Sequence, residues 1–239
     1  MNSELSNKIL QEVKENYNLI AKDYARTREF ISADVKEIVG RYAVKQGRIL
    51  DSGCGNGRLF ELLDAPEREY VGLDASEELL RIARQNYPKG NFVAGDALNL
   101  TFADNSFDQI FSVSVLHHFP GETRQKYLQE CLRVLKPGGS LVLRVWNMWH
   151  NDFAKQLIVK FTIGKFLRQN DLDFMDIYYP WKDGQGNVVA RRYLHCFTRS
   201  ELASLCQKSG FAVKESWAEN KGVNSNIYIV AQKPQGSRS

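Results

Sequence analysis

Hydrophobic and polar positions along the chain follow two patterns in turn, short apolar runs and amphipathic helical stretches. The runs have the length of strands, are rich in β-branched or aromatic residues and end at turn residues. They are residues 48–53, 70–74, 91–96, 107–115, 140–146, 211–217 and 226–232. This alternation predicts an α/β fold with a mostly parallel sheet and helices on both faces. The last two runs follow the final helix and flank a short connection at 220–225, which predicts a terminal hairpin and one antiparallel strand.

Three helices are predicted from the signals at their ends. Ser76 is a predicted N-cap, and the two glutamates after it suit the positive end of a helix. A second helix is predicted over residues 123–135 and is ended by the Pro-Gly-Gly run at 137–139. A capping box at Thr198–Glu201 begins the last helix, and Gly210 ends it.

Two segments do not follow the alternation. Residues 1–45 have a helical pattern and precede the first strand, with Tyr17, Ile20 and Tyr24 at helical spacing. Residues 147–197 follow the fifth strand and are rich in aromatic and basic residues. Because loops of that length are uncommon unless they are functional, this segment is predicted to carry helices of its own and a functional role.

The composition limits the class of protein. With 43% hydrophobic and 25% charged residues, the 239-residue chain is typical of a globular protein. Its net charge of +4 permits contact with nucleic acid without requiring it. An uncharged apolar run of about 18 residues is lacking and the N-terminus is polar, so neither a membrane span nor a targeting signal is expected. The four cysteines are far apart in sequence, which predicts no metal site, no disulfide framework and a reducing cytoplasm.

A glycine-rich turn, Asp51-Ser-Gly-Cys-Gly-Asn-Gly57, directly follows the first strand. Glycines at this position allow a tight turn and bring backbone N–H groups close to a ligand at the carboxyl edge of the sheet. The turn alone is equally compatible with a plain strand–helix loop. The acid at Asp51 favours a cationic ligand and disfavours a pyrophosphate.

Two further acids follow the next two strands. Asp74 ends the second strand, where a carboxylate can accept both hydroxyls of a ribose. Asp96 ends the third strand, where it can accept from an adenine amino group. Each acid alone is compatible with an ordinary loop residue, but three at successive strand ends indicate one binding site.

These motifs resemble class I S-adenosylmethionine-dependent methyltransferases. The resemblance rests on D-x-G-x-G-x-G, the acid after strand two, Gly95-Asp-Ala97 and the L-K-P-G-G run at 135–139. It implies a Rossmann-like seven-stranded sheet, with S-adenosylmethionine as cofactor. The positions that it assigns to the cofactor are Tyr17, Tyr24, Asp51, Gly53, Cys54, Gly55, Asp74, Ala75, Ser76, Asp96, Ala97, Ser114, Val115 and His117. For Tyr17 and Tyr24, ordinary core packing is an equal alternative.

A narrower resemblance is to the tRNA wobble-uridine methyltransferases, which esterify 5-carboxymethyluridine. The matching motifs are Tyr17-Asn-Leu-Ile-Ala21, Thr27-Arg28, Leu116-His-His-Phe119, Val145-Trp146, Pro180-Trp181 and Arg192-Tyr-Leu-His-Cys-Phe197. The family's proline-tryptophan-proline is Glu29–Ser32 here, and its R-E-G-E-L is Thr198–Leu202. Both departures lie on the expected substrate side.

This resemblance implies a carboxylate acceptor that needs no general base, so catalysis would depend on positioning and electrostatics. The predicted catalytic residues are Arg28, His117, Arg192 and His195. The predicted substrate residues are Trp146, Trp181, Tyr193 and Arg199. The arginines can equally be solvated surface charges, His117 can cap the next helix, and Trp146 can simply pack in the core. Tyr193 and His195 alternate as in a strand, which predicts that both point to one side.

The predicted organisation is a single domain over residues 1–239. Its parts are a helical lid (1–45), a cofactor-binding core (46–146), a substrate-side insertion (147–197) and the last helix with the terminal hairpin (198–233). The expected partner is tRNA or a small-molecule acceptor, and the family resemblance adds a small zinc-binding activator subunit. The alternatives are a small-molecule O- or N-methyltransferase, or a non-catalytic module.

Overall fold

A sheet of seven strands forms the centre of the molecule. The computed structural model describes residues 1–28, 30–220 and 225–236. Its strands are β1 (Gly47–Ser52), β2 (Arg68–Asp74), β3 (Asn91–Ala94), β4 (Phe107–Val113), β5 (Leu135–Trp146), β6 (Asp176–Lys182), β7 (Val188–His195), β8 (Ala212–Glu219) and β9 (Asn226–Gln232). The central sheet has the order β3-β2-β1-β4-β5-β9-β8. Strands β1 to β5 pair in parallel, and β9 runs antiparallel to β5 and β8. The predicted mostly parallel sheet is confirmed; residues 221–224 of the predicted hairpin connection lie outside the described residues.

Helices cover both faces of this sheet. They are α1 (Ser3–Arg26), α2 (Ala33–Tyr42), α3 (Phe60–Leu63), α4 (Glu77–Asn86), α5 (Thr123–Val134), α6 (Asp152–Phe166) and α7 (Arg199–Lys208). The predicted caps are confirmed, because the Ser76 side chain accepts from the Leu79 N–H and Thr198 forms a capping box with Glu201. Strand β5 begins at Leu135, earlier than the apolar run predicts, because Leu135 already pairs with Phe107.

The segment 147–197 differs from the sequence-based prediction. It contains the expected helix, α6, but its second half forms an antiparallel hairpin of β6 and β7 that is separate from the central sheet. In this hairpin Tyr178 is opposite Tyr193, and Tyr179 is opposite Arg192. Aromatic and β-branched side chains fill these strands, and such residues favour a pleated sheet surface. The composition of the segment alone did not distinguish these strands from helices.

Adjacent residues of each central strand face opposite layers of the core. Leu50 packs with α5 and α7 on one face, while its neighbour Ile49 packs with α2 and α4 on the other. Because helices cover both faces of the sheet, side chains that point to either face are buried, and the strands appear in the sequence as continuous apolar runs. The parallel strands therefore end together at one edge, and their terminal residues and loops are brought side by side there.

The long helix α1 crosses this edge and contacts α4 and β7. Asn18 of α1 accepts a hydrogen bond from the Ser76 hydroxyl at 2.7 Å, and Glu12 accepts one from Tyr178 at 2.9 Å. In the described ranges, no helix is both long and apolar enough to cross a membrane. The same ranges hold no group of three or more side chains placed to bind a metal ion.

Candidate active site

A cavity of about 590 Å³ lies at the carboxyl edge of the sheet, beneath α1. Its volume is within the range of small-molecule sites, roughly 300–1,000 Å³. The predicted residues that line it are Tyr17, Tyr24, Gly53, Gly55, Asp74, Ala75, Ser76, Asp96, Ala97, Ser114 and Val115. Sequence motifs from the ends of four strands and from one helix are thus brought together at a single cavity.

The glycine-rich turn is held tightly against the end of β2. The N–H groups of Gly53 and Cys54 both donate to the Leu73 carbonyl, at 2.7 and 3.0 Å. Gly53 has a φ of +79°, and a Cβ there would lie 2.4 Å from a Val115 methyl carbon. Glycine is required at this position by both backbone conformation and space.

Asp74 is preorganised by backbone donors. Its Oδ2 accepts from the Gly55 N–H and its Oδ1 from the Ser76 N–H, both at 2.8 Å. Burial raises the pKa of Asp74, and the backbone N–H groups oppose this rise. The carboxylate is therefore fixed in one orientation at the cavity wall.

Asp96 and Ser114 also line the cavity, and each is held in place locally. The Oδ1 of Asp96 accepts from the Leu98 N–H at 2.8 Å. Ser114 adopts a φ of +65°, which is uncommon for a residue other than glycine. Residues held in such conformations cluster at functional sites, in agreement with the position of Ser114 in the cavity wall.

Asp51 and Cys54 are placed differently from their predicted contact roles. Asp51 is 2% exposed and accepts a hydrogen bond from the Tyr70 hydroxyl at 2.8 Å, so its side chain lies behind the turn and outside the cavity lining. Burial raises the pKa of Asp51 to about 7. Cys54 is buried as well and is likewise absent from the lining. Both side chains pack beneath the glycine-rich turn, so neither lines the cavity as the predicted cofactor contacts would require.

Of the two adjacent histidines, His118 lines the cavity and His117 does not. The His118 Nδ1 lies 2.9 Å from the Tyr193 carbonyl, and its Nε2 lies 2.8 Å from the Tyr17 hydroxyl. Because a carbonyl can only accept, Nδ1 carries the proton and Nε2 accepts from Tyr17. Burial lowers the pKa of His118 to about 3 and raises that of Tyr17 to about 12, so both are neutral near pH 7.

A second group of predicted residues, here called the Arg192 cluster, consists of Arg192, His117, Trp146 and Trp181. Arg192 is 5% exposed, and its guanidinium carbon lies 5.1 Å from the ring centre of Trp146 and 4.8 Å from that of Trp181. Its Nε and Nη1 atoms have no hydrogen-bond partner in the described part of the chain. This buried cation is thus surrounded by aromatic rings, and no carboxylate of the described residues pairs with it.

Three more buried polar atoms of the Arg192 cluster have no hydrogen-bond partner among the described residues. His117 is 1% exposed, stacks on Trp146 at 4.6 Å and has two ring nitrogens without partners among the described residues. Burial lowers the pKa of His117 far below its usual value, so the ring is neutral. The indole N–H of Trp181 has no acceptor among these residues either. Such buried unpaired groups require an explanation, and donors that converge around a cation suit an anionic ligand.

Two tyrosines of α1 connect the cavity with the Arg192 cluster. The Tyr17 and Tyr24 rings are 5.6 Å apart, and Tyr24 lies 6.2 Å from Trp181. The positive charge of Arg192 is close enough to Tyr17 to oppose the rise in its pKa. The guanidinium of Arg28 lies 5.7 Å from the Tyr24 ring centre. The cavity and the Arg192 cluster therefore share one wall, which α1 supplies.

Three predicted site residues lie elsewhere. His195 bridges Asp176 at 2.7 Å and Glu201 at 2.8 Å, and the Tyr193 hydroxyl accepts from Arg124, which also pairs with Asp176. As strand alternation predicts, Tyr193 and His195 point to one side, but that side is this polar network. Arg199 begins α7 and lines neither the cavity nor the Arg192 cluster. The network joins α5, the β6–β7 hairpin and α7, so these polar side chains are explained by packing between elements.

Comparison with known proteins identifies the fold and its activity. The methyltransferase domain family matches residues 50–143. A protein of Encephalitozoon cuniculi described as a methyltransferase is 31% identical over 218 residues, which are 91% of this chain and 93% of the relative. This chain belongs to the class I S-adenosylmethionine-dependent methyltransferases. The resemblance expected from the sequence motifs is confirmed.

Other relatives of this methyltransferase differ in acceptor. The tRNA (carboxymethyluridine(34)-5-O)-methyltransferase of Schizosaccharomyces pombe is 26% identical over 203 residues, 77% of this chain and 80% of that protein. The demethylmenaquinone methyltransferase of Thermotoga maritima is 41% identical over 179 residues, 71% of this chain and 72% of that protein. A solved S-adenosylmethionine-dependent methyltransferase of Methanosarcina mazei has a TM-score of 0.70 at 25% identity and covers 83% of this chain and 97% of its own.

S-adenosylmethionine is the cofactor of this methyltransferase, and the cavity fits it. The cavity has the required size, a fixed carboxylate at Asp74, and a glycine-rich floor in which Gly55 leaves room below Tyr24. The carboxylates of Asp74 and Asp96 in the lining suit a cationic sulfonium, whereas they would repel a pyrophosphate.

Proposed function

We propose that this methyltransferase esterifies the carboxylate of 5-carboxymethyluridine at the wobble position of tRNA. The observation that carries the proposal is the Arg192 cluster. A buried guanidinium without a carboxylate partner in the described chain is costly unless a ligand supplies the anion. A carboxylate acceptor supplies it next to the cofactor cavity, and the S. pombe relative is named for this reaction.

The residues around the cavity have separate roles in this proposal. When bound, S-adenosylmethionine supplies an electrophilic methyl group on a sulfonium. Asp74 holds the ribose hydroxyls and Asp96 the adenine amino group. Arg192 holds the acceptor ionised and oriented, aided by N–H donors of Trp181 and His117. Because the acceptor is already an anion, no side chain has to remove a proton, in agreement with the neutral states of Tyr17 and His118.

The aromatic walls suit a nucleobase. The ring centres of Trp146 and Trp181 lie 5.1 and 4.8 Å from the guanidinium carbon of Arg192. Base stacking on such rings stabilises by about 1–3 kcal/mol per base. Single-stranded RNA is recognised by this combination of stacking rings and cations. In this proposal residues 1–45 are the lid and residues 147–197 the acceptor side, since α1 and the β6–β7 hairpin enclose the cluster. The need for a small activator subunit remains a prediction.

A small-molecule acceptor is the second candidate, favoured by the identity with the T. maritima enzyme and by the enclosed position of the Arg192 cluster. A neutral quinone ring would leave Arg192 unpaired, whereas a small carboxylic acid would not. The two candidates differ in salt dependence, because binding of tRNA weakens steeply with salt and binding of a small acid does not.

The test uses labelled S-adenosylmethionine with tRNA that contains or lacks 5-carboxymethyluridine, followed by nucleoside analysis. We expect label only with the carboxymethylated tRNA, and we expect mild alkali to release it, as an ester requires. Label that resists alkali, or that enters only small acids, would contradict the proposal. The variant Arg192→Met distinguishes acceptor binding from cofactor binding, since it should lose methylation of the RNA and still bind S-adenosylmethionine.

A further inference from the structure

The segment between α1 and α2 is held against the glycine-rich turn and exposes a large apolar ring. Asn56 donates to the Arg28 carbonyl at 3.5 Å, and Arg58 donates to the Phe30 carbonyl at 3.4 Å. Phe30 is 87% exposed, the highest value among the exposed large hydrophobic residues. Glu29 between them lies outside the described residues. An exposed phenylalanine docked by its backbone to the rim of an active site is placed to contact a ligand.

Two guanidinium groups, those of Arg28 and Arg58, lie at this rim, and the charge of the buried Arg192 is near enough to act on Arg28. Burial lowers the pKa of Arg28, and the nearby charges of Arg58 and Arg192 lower it further. In the described part of the chain, none of the three has an acid within ion-pair distance. Arg28 and Arg58 instead donate to the carbonyls of Thr27 and Phe30. Arg41, on another part of the surface, is instead paired with Glu215 at 3.0 Å.

Clustered like charges repel one another, and a bound polyanion removes that repulsion. Guanidinium groups match phosphate oxygens with two parallel hydrogen bonds, and an exposed ring beside them offers a face for a base. A free phosphate or a small acid would use the cations and leave Phe30 without a role. The combination of unpaired arginines, Phe30 and the neighbouring Tyr24 therefore favours single-stranded RNA.

We propose that Arg28, Arg58 and Phe30 bind the RNA that flanks the acceptor nucleotide. Arg28 and Arg58 contact its phosphates, and Phe30 stacks on an adjacent base. The path continues inward over Tyr24 to Trp181 and Arg192, so the flanking nucleotide is bound outside the lid while the acceptor lies within it. This inference rests on the proposed function, since it assigns the same site an RNA substrate.

The experiment measures binding of a fluorescent anticodon stem-loop RNA with 5-carboxymethyluridine to the full chain over a series of salt concentrations. Arg58→Ala should weaken binding about tenfold and reduce the slope of log K against log salt by about 0.7, the value for one single-strand phosphate contact. Arg41→Ala removes the same charge from a paired surface site and should leave affinity and slope within about twofold of wild type.

Phe30 is tested by two replacements at its exposed position. Phe30→Leu should weaken RNA binding about tenfold with an unchanged salt slope, because stacking is lost and no charge is removed. Phe30→Trp keeps an aromatic face and should retain wild-type affinity. Calorimetry with S-adenosylmethionine checks that every variant folds and binds cofactor as wild type does.

The outcomes separate this inference from the proposed function. If wild type esterifies the RNA but Arg58→Ala and Phe30→Leu bind it like wild type, the inference is wrong and the proposed function stands. If wild type binds the RNA through Arg58 and Phe30 but forms no ester, the rim site stands and the proposed function is wrong. If wild type neither binds nor methylates RNA and methylates a small acid instead, both are wrong. Equal effects of Arg41→Ala and Arg58→Ala would also overturn the inference, since binding would then follow net charge.

Discussion

The cofactor cavity and the Arg192 cluster share a wall but differ in how their polar groups are satisfied. In the cavity, Asp74 and Asp96 accept from backbone N–H groups of their own loops. In the Arg192 cluster, buried donors of Arg192, His117 and Trp181 have no partners in the described chain. The first region is preorganised for a cofactor that the fold family shares. The second is where the proposed function places the acceptor, whose negative charge would pair with Arg192.

The largest effect is expected when the unpaired cation of the Arg192 cluster is removed. Arg192→Met keeps the apolar stem between the tryptophans and should lower kcat/KM for the carboxymethylated tRNA by about a thousandfold, ~4 kcal/mol, since a buried anion would lose its partner. Binding of S-adenosylmethionine, followed by calorimetry, should not change. Arg191→Ala, at the exposed neighbouring position, is the matched control. Loss of cofactor affinity in Arg192→Met would show that the two regions are not separate.

The buried acid behind the glycine-rich turn gives a pH test of the cavity side. Burial raises the pKa of Asp51 to about 7, so the folded state binds a proton that the unfolded state has already released. Stability should therefore fall as the pH rises from about 4 to about 7. Titration of Asp51 should lower the free energy of unfolding of wild type by ~1.4 kcal/mol for each pH unit between pH 5 and the folded pKa. The total fall between pH 5 and pH 8 is therefore about 3 kcal/mol.

Asp51→Asn should remove that fall, because the amide keeps the oxygen that accepts from Tyr70 and cannot ionise. Denaturant unfolding at both pH values measures the difference. The exposed Asp64→Asn variant serves as control and should follow wild type. A pH dependence that persists in Asp51→Asn would assign it to another group.

The fixed carboxylate of the cavity is expected to matter for the cofactor alone. Asp74→Asn keeps the size of the side chain and should weaken S-adenosylmethionine binding by about thirtyfold, ~2 kcal/mol, by loss of a charged acceptor. The affinity for a carboxymethylated stem-loop RNA should stay near wild type. If RNA affinity falls as much as cofactor affinity, the assignment of Asp74 to one region is wrong.

The smallest expected effect concerns the hydroxyl on the shared wall. Tyr17→Phe removes the hydrogen bond to His118 and should lower kcat/KM by about fivefold, ~1 kcal/mol. Tyr24→Phe, on the same helix, keeps the ring and serves as control. An effect of Tyr17→Phe above a hundredfold would indicate that the hydroxyl takes part in the chemical step.

Much of the cavity could be predicted from the sequence because its geometry is local. Asp74 and Gly53 follow strands that periodicity reveals, and parallel strands end at one edge. The choice between His117 and His118 could not be made, since both lie in one short helical turn and only packing decides which faces the cavity. The β6–β7 hairpin was missed for a similar reason, because its pairing depends on contacts that composition does not encode.

The same limit explains the residues whose positions differed from expectation. His195 and Tyr193 share a strand side as predicted, but the Arg124–Asp176 pair on that side is distant in sequence. Arg192 was a candidate from its motif, yet its lack of a partner is a property of the assembled fold. Sequence patterns therefore indicate where charged residues lie more readily than whether those charges are satisfied.

The central claim is that Arg192 recognises the negative charge of the acceptor. The most direct measurement compares the binding of two stem-loop RNAs that differ only in 5-carboxymethyluridine against its uncharged amide, 5-carbamoylmethyluridine. We predict that wild type binds the acid at least about tenfold more tightly, as one charged hydrogen bond provides, and that Arg192→Met binds both equally. Equal binding of the two RNAs by wild type, or a preference for the acid that survives in Arg192→Met, would contradict the claim.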